Sequence, residues 1–464
     1  MIVYRLLRWL ARIALGWYYA DLLVEGRALL PARGPTLIVA NHPNALVDAM
    51  AVAVAVPRRV MLTAKATLFE HSALAALLHV VGVVPLRRAK DEQVTVANGT
   101  PSAARNADAF QMVTAAFAGA RAVLVFPEGI SHDAPAIAPL RTGAARMALM
   151  AHESGVRALR IIAVGLVYEE KERPRTRVLV RIGEPLDLDA WLTAHPGDAA
   201  TLTAEIDDRL RRVTLNFGSD ARAHRAEHLA HTLGAIARRG APLGHPPPLA
   251  EEADLARRIE AASVALATAP APLAQRADAF IAEVEAFEQR LATRGVALSE
   301  LRVSPRIRQG AWFVLREVLL LTLALPVALL DRVAHDLPVR LARARAQRSL
   351  ASDPSRDQPA MRTIVLATGL LLAWYLLLGI TLARWLGPGV AVLALATMLL
   401  SASAELALRD RISRALRRAR TYLALRADPG LQASALAEAD HLLEEARALE
   451  RALGVGGPNS QASR

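Results

Sequence analysis

Two uncharged apolar stretches, 363–383 and 385–404, follow one another and meet at Arg384 and the turn Leu-Gly-Pro-Gly. They are 21 and 20 residues long, and at ~1.5 Å of rise per residue each reaches across a hydrocarbon layer of ~30 Å. The pair predicts a transmembrane helical hairpin. Arginine-rich runs flank it, RLARARAQR upstream and RDRISRALRRAR downstream, against one arginine in the turn. That asymmetry predicts that both flanks, and the α/β region before them, face the cytoplasm. The stretch 311–330 is equivocal between a span and a re-entrant or interfacial segment, because Arg316 and Glu317 interrupt it and leave 13 clean residues.

The rest of the chain is not membrane-like. Of 464 residues, 53% are hydrophobic and 22% charged, which fits a globular part joined to membrane segments. A net charge of +12 admits nucleic acid, anionic lipid or an anionic substrate as partner. Aromatic residues are only 4% and the arginines gather beside apolar runs, which argues against nucleic acid and for anionic membrane lipids. The absence of cysteine removes disulfides, thiolate nucleophiles and cysteine-held metals. At the N-terminus Arg5, Arg8 and Arg12 interrupt the apolar run, which does not read as a signal peptide. Their spacing puts them on one helical face, with Leu6, Leu10, Ile13 and Trp17 on the other, and predicts an interfacial membrane helix over 1–23. An amphipathic helix packed on the protein's own core is the alternative.

Residues 24–200 alternate between short apolar β-type runs (36–40, 59–64, 80–86, 122–126, 159–168 and 177–183) and alanine-rich helical stretches (46–56, 70–79, 103–119 and 142–152). This predicts an α/β domain with a mixed sheet flanked by helices. Residues 201–305 lose the strand signal and read as a helical appendage with solvated charged faces. Residues 306–406 are the membrane region, and 407–464 a basic helix, a further charged helix and a tail.

Within the α/β region, LIVANHPNALVD (37–48) delivers His42 from an apolar strand, with Asp48 six positions later. Pro43 disfavours helix in the residue before it and is tolerated in a first helical turn, so His42 stays in the loop while Asp48 enters the next helix. The histidine can then fold back to the carboxylate. A carboxylate on Nδ1 would fix the tautomer and leave Nε2 to take a proton from a hydroxyl. This is the base-and-orienter half of a triad without its serine, in which a substrate alcohol can itself be the nucleophile. Two further blocks, GVVPLRRAKD (82–91) and LVFPEGISHD (124–133), end strands on Arg87 and Arg88, and on Pro127, Glu128 and Gly129. Such loops are where α/β proteins place their sites.

NHPNALVD, GVVPLRR, FPEG and IIAVGL, in this order and at these separations, resemble the four blocks of the phospholipid/glycerol acyltransferase family. FPEGISHDAPAIAPLRTGAARMAL is similar to its subgroup of fungal-type glycerol-3-phosphate and dihydroxyacetone-phosphate acyltransferases. The resemblance covers about residues 24–186. It implies that His42 is the general base and Asp48 its partner, that Arg88 and the turn Pro127-Glu128-Gly129 help bind the glycerophosphate, and that the fourth block lines the acyl side. It also implies an acyl thioester (acyl-CoA or acyl carrier protein) as co-substrate, with no metal or other cofactor. Three departures stand out: five residues rather than four separate His42 from Asp48, Ile130-Ser131 replaces the usual Thr-Arg, and Ala163 replaces a proline. The acceptor is glycerol-3-phosphate or dihydroxyacetone phosphate on this reading, with a lysophospholipid acceptor as the alternative. A non-catalytic lipid-sensing membrane scaffold is the rival of a different class.

Overall fold

The computed structural model describes residues 2–70, 72–86, 107–195, 197–238, 247–304, 306–350, 359–402 and 404–455. It divides into two compact units, residues 1–216 with 345–366, and residues 217–344 with 367–464. The first holds a mixed eight-stranded sheet in the order β1-β7-β6-β2-β5-β3-β4. Its strands are β1 (Asp21–Glu25), β2 (Thr36–Ala40), β3 (Val60–Lys65), β4 (Val84–Leu86), β5 (Ala122–Val125), β6 (Arg160–Tyr168) and β7 (Arg177–Ile182). The short β8 (Leu186–Asp187) pairs antiparallel with the start of β6. The four strands from β2 to β5 run parallel to one another and to β6; β7 is antiparallel to β6.

Period-two alternation sends neighbouring side chains to opposite faces. Leu37, Val39, Val123, Val125, Ile161 and Ala163 face one core, under α4 (Ala107–Ala118), α5 (Gly143–Glu153) and α7 (Ala199–Val213). Ile38, Ala40, Leu124, Ile162 and Val164 face the other, under α1 (Ile2–Tyr18) and α2 (Ala45–Ala55). Ala360 and Ile364 join that second core.

Several expectations shift. Residues 80 and 81 end helix α3 (Ser72–Val81) rather than begin a strand. Helix α7, grouped by its charge with the appendage, lays Leu202, Ile206 and Leu210 on the sheet. It comes so close that a Cβ on Gly165 would lie 1.9 Å from the Val213 carbonyl oxygen, so the fourth block needs its glycine. At the N-terminus residues 21–25 are strand β1, paired parallel with β7. The three arginines of α1 do not all face outward: Arg5 and Arg12 are exposed, but Arg8 turns inward and donates to the carbonyls of Val54 (3.2 Å) and Val56 (2.6 Å) at the end of α2. There the exposed carbonyls of a helix C-terminus attract a cation. Tyr4, Leu15 and Tyr18 are buried, so α1 does pack on the protein's own core, while Leu6, Trp9 and Ile13 stay exposed on its outer side.

The second unit is helical. α8 (Asp220–Ala237), α10 (Ala271–Thr293) and α15 (Pro429–Ala452) share a core built on Leu233, Phe280, Phe287, Leu431 and Leu442, with α9 (Leu249–Leu266) packed against it through Leu255 and Ile259. Between α10 and α15 in sequence lie α11 (Ile307–Leu350), α12 (Pro359–Leu386), α13 (Pro388–Ser401) and α14 (Ala404–Ala427). Among the described residues three helical segments, Ile307–Ala346, Ala360–Leu386 and Pro388–Ala427, are long and apolar enough to cross a membrane. The hairpin turn sits at Gly387, whose φ of +89° suits glycine.

Candidate active site

Parallel pairing explains why the first and third blocks meet. Val39 stands opposite Val125, so the chains leaving β2 and β5 run side by side, and the His42 N–H donates to Glu128 Oε1 at 2.8 Å. On the other flank Ala40 stands opposite Val164 of β6, and the buried Asn41 side chain exchanges two hydrogen bonds with the backbone of Leu166 (3.0 and 2.7 Å). The site therefore lies beyond the carboxyl ends of the central strands, the usual place in a parallel sheet.

His42 is held on three sides. Its ring stacks on Phe126 with centroids 3.9 Å apart and planes 9° apart. Its Nδ1 lies 2.9 Å from Asp48 Oδ2, and Nε2 makes no hydrogen bond among the described residues. Asp48, in the first turn of α2, is fully buried. It also accepts the Asn44 N–H (2.7 Å) on Oδ2 and the Tyr168 hydroxyl (2.6 Å) on Oδ1. With Nδ1 directed at this carboxylate acceptor, Nδ1 is the nitrogen that donates and Nε2 the acceptor. Burial, and then the charge of Asp48, push the Tyr168 hydroxyl well above its ordinary range, so it remains a donor. Burial likewise raises Tyr19, whose hydroxyl accepts from Asn44 Nδ2 at 2.9 Å.

Between His42 and Asp48 the backbone turns at Ala45, whose φ is +48°. That left-handed conformation costs an alanine something of order 1–2 kcal/mol. The Ala45 N–H donates to Ser131 Oγ at 3.1 Å, so Ser131 ties the loop after β5 to this turn.

Both oxygens of the buried Glu128 are occupied within the protein. Besides the His42 N–H it accepts the Ala138 N–H (2.7 Å) and pairs with the His132 ring. Any part it has in binding an acceptor is through the turn it builds. Gly129, at φ +74°, lies under Arg141, so a Cβ there would stand 2.9 Å from the Arg141 Cδ and Nε; the Arg141 N–H donates to the Pro127 carbonyl (2.8 Å). The hydrogen bond to Glu128 raises the His132 pKa against the opposing effect of burial. Lys171, from the β6–β7 connection, pairs with Asp133 and donates to the Pro43 carbonyl at 3.2 Å. Arg88 lies outside the described residues.

Residues 21–167 match the family model named Acyltransferase. They form an acyltransferase domain. Glycerol-3-phosphate O-acyltransferase 2 of Saccharomyces cerevisiae is 32% identical over 111 residues, which are 23% of this chain and 15% of that protein, so this chain spans only a small part of that relative. The crystal structure of the 1-acyl-sn-glycerophosphate (LPA) acyltransferase PlsC from Thermotoga maritima is 18% identical, with a TM-score of 0.34, covering 45% of this chain and 78% of that one. At this site, sequence reasoning missed Tyr168, Asn44 and Phe126. Phe126 and Asn44 sit inside the quoted blocks, but Tyr168 is brought to Asp48 only by the strand order.

Proposed function

We propose that the protein is a membrane-bound O-acyltransferase that moves a fatty acyl group from a thioester to a hydroxyl of glycerol-3-phosphate or dihydroxyacetone phosphate. The observation that carries this reading is the His42–Asp48 pair, 2.9 Å apart over a fully buried carboxylate, with Nε2 making no hydrogen bond among the described residues. Nε2 takes the proton of the acceptor hydroxyl as its oxygen attacks the thioester carbonyl. The tetrahedral oxyanion collapses, the carbon–sulfur bond breaks, and the departing thiolate recovers the proton from the imidazolium. No acyl-enzyme and no metal take part, and acyl-CoA or acyl carrier protein is the donor. Arg141 and the protonated His132 beside the Pro127-Glu128-Gly129 turn, together with Arg88, supply the positive charge that receives the acceptor's phosphate. The arginine-rich flanks of the hairpin set the catalytic face on the cytoplasmic side, against anionic headgroups.

The test offers the purified protein, in vesicles, labelled glycerol-3-phosphate, dihydroxyacetone phosphate and lysophosphatidic acid, each with either thioester. Label is expected to enter lipid from one of the first two, and to be lost by roughly 10²–10⁴-fold in His42→Ala with thermal unfolding unchanged. Incorporation from lysophosphatidic acid alone would replace the acceptor. An inactive wild type whose His42→Ala variant keeps its cellular role would make the protein a scaffold.

A further inference from the structure

The turn that carries His42 holds Ala45 at a left-handed φ, and such strain persists only where the surroundings over-determine it. From His42 to the Ala45 N–H, every polar backbone group has a partner. The His42 N–H donates to Glu128 Oε1 at 2.8 Å, and its carbonyl accepts the His132 N–H at 3.3 Å. The Asn44 N–H donates to Asp48 Oδ2 (2.7 Å), its carbonyl accepts the Val47 N–H (3.0 Å), and the Ala45 N–H donates to Ser131 Oγ (3.1 Å). Those partners come from α2 and from the loop after β5. The Pro43 carbonyl is served from a third direction, the β6–β7 connection, by Lys171 Nζ at 3.2 Å.

Lys171 is itself held from two sides. Its ammonium pairs with Asp133 in the loop after β5, and its own carbonyl accepts the Tyr19 hydroxyl at 3.4 Å. The Tyr19 hydroxyl in turn accepts from Asn44 Nδ2 at 2.9 Å, and the neighbouring Tyr18 hydroxyl donates to the Glu172 carbonyl at 2.8 Å. Both tyrosines are buried at the end of α1, so their hydroxyls fasten the connection to the turn. Tyr18, Tyr19 and Lys171 all lie outside residues 21–167, the part that matches the family model.

We infer that Lys171 is a positioning residue for His42, which bridges the turn bearing the base to the loop after β5 and is held in place by the tyrosine pair of α1. An ammonium has three donors and no acceptor, so it serves the Pro43 carbonyl and the Asp133 carboxylate together, each through a charge-assisted bond. A cation already matched by Asp133 adds little net charge for an acceptor's phosphate. Positioning is therefore its role rather than acceptor binding. The kinetic part of the test rests on the acyl-transfer reading; the spectroscopic part does not.

With the full chain in vesicles, Lys171→Met is expected to lower kcat by roughly 10–10²-fold, the cost of letting a base drift from its attacking geometry, while the acceptor KM holds. Lys171→Arg, which keeps the charge and the donors, is expected to recover most of that loss. A rise in KM with kcat held would make Lys171 an acceptor-binding cation and overturns the inference. A lowered unfolding temperature with kcat retained would make the residue merely structural and overturns it as well. The second readout is the nuclear magnetic resonance signal of the His42 Nδ1–H in histidine-labelled protein, identified by its loss in His42→Ala. In Lys171→Met this proton, donated to Asp48, is expected to exchange with water roughly tenfold faster as the turn loosens. Unchanged exchange overturns the inference even in a protein that transfers no acyl group, whereas an inactive wild type with the faster exchange in the variant overturns the acyl-transfer reading alone. If Lys171→Met does not fold, Asp133→Asn, which removes the ammonium's anchor, carries both readouts in the same direction.

Discussion

Beyond the carboxyl ends of the central strands, Asp48 and Glu128 are buried carboxylates that accept three hydrogen bonds each, from backbone N–H groups, a tyrosine and two imidazoles. In the helical bundle, Glu438 and Glu450 stand 30 and 23% exposed and each meets one arginine, Arg290 or Arg258. Both regions are rich in paired charge, yet the pairs do different work. At the site the donors are held by the ends of β2 and β6, the start of α2 and the loop after β5, and water cannot replace a lost partner. On the bundle, water can replace either partner at once, so the pairs add little and the apolar core carries the stability.

The comparison breaks first at Asp48. Asp48→Asn keeps the volume but offers an amide N–H where His42 and Asn44 both donate, so the imidazole loses its fixed tautomer. Acyl transfer is expected to fall by roughly 10²–10⁴-fold. Because the two groups act as one unit, the double variant with His42→Ala is expected to fall no further than His42→Ala alone, measured as initial rates on one acceptor. Activity retained within tenfold would put Asp48 in the same class as the bundle carboxylates.

The bundle's counterpart is Phe287, 1% exposed in the shared core of α10 and α15. Phe287→Ala is expected to cost about 3–5 kcal/mol, read from denaturant unfolding. Next in size is Tyr168→Phe, which removes a 2.6 Å bond to a buried anion and is expected to cost about 1.5–3 kcal/mol. Its diagnostic is the split between kcat and KM on one acceptor: a carboxylate that orients His42 less firmly is expected to lower kcat while KM holds. A purely structural role would lower stability and leave kcat in place.

How far the sequence reaches differs between these residues. Strands β2, β5, β6 and β7 were legible because buried parallel and mixed strands read as continuous apolar runs, and the loop–helix placement of His42 and Asp48 followed from the backbone rules around Pro43. β1 was hidden because Asp21–Glu25 directly continues an amphipathic helix, with only two residues to mark the change. The inward turn of Arg8 was not legible either: helical spacing tells which residues share a face but not which face finds a partner. Tyr168 and the return of α15 onto α10 depend on pairings across 120 residues or more, which no local pattern encodes.

His132 gives a test that separates the regions by pH. Glu128 raises its folded-state pKa above the ordinary 6.5, so the protonated ring stabilises the fold. That contribution is complete below about pH 6.5 and is lost as pH rises through the raised folded value. Unfolding stability of the wild type is expected to decline over that window, and His132→Gln to flatten the slope. If phosphate binding uses the same charge, the KM of the acceptor rises over the same window while kcat holds.

Arg290→Ala is expected to give the smallest effect. Its pair with Glu438 joins side chains that are 55 and 30% exposed, and exposed pairs contribute about 0–1 kcal/mol. The arginine stem also covers part of the helix surface, so a single substitution mixes lost charge with lost packing. A double-mutant cycle with Glu438→Ala isolates the pair, and its coupling is expected to fade in high salt as the charges are screened. A coupling well above 1 kcal/mol that survives salt would mean the bundle holds its charges as the buried site at the strand ends does. Water access at that surface would then be far lower than the exposure of these side chains implies.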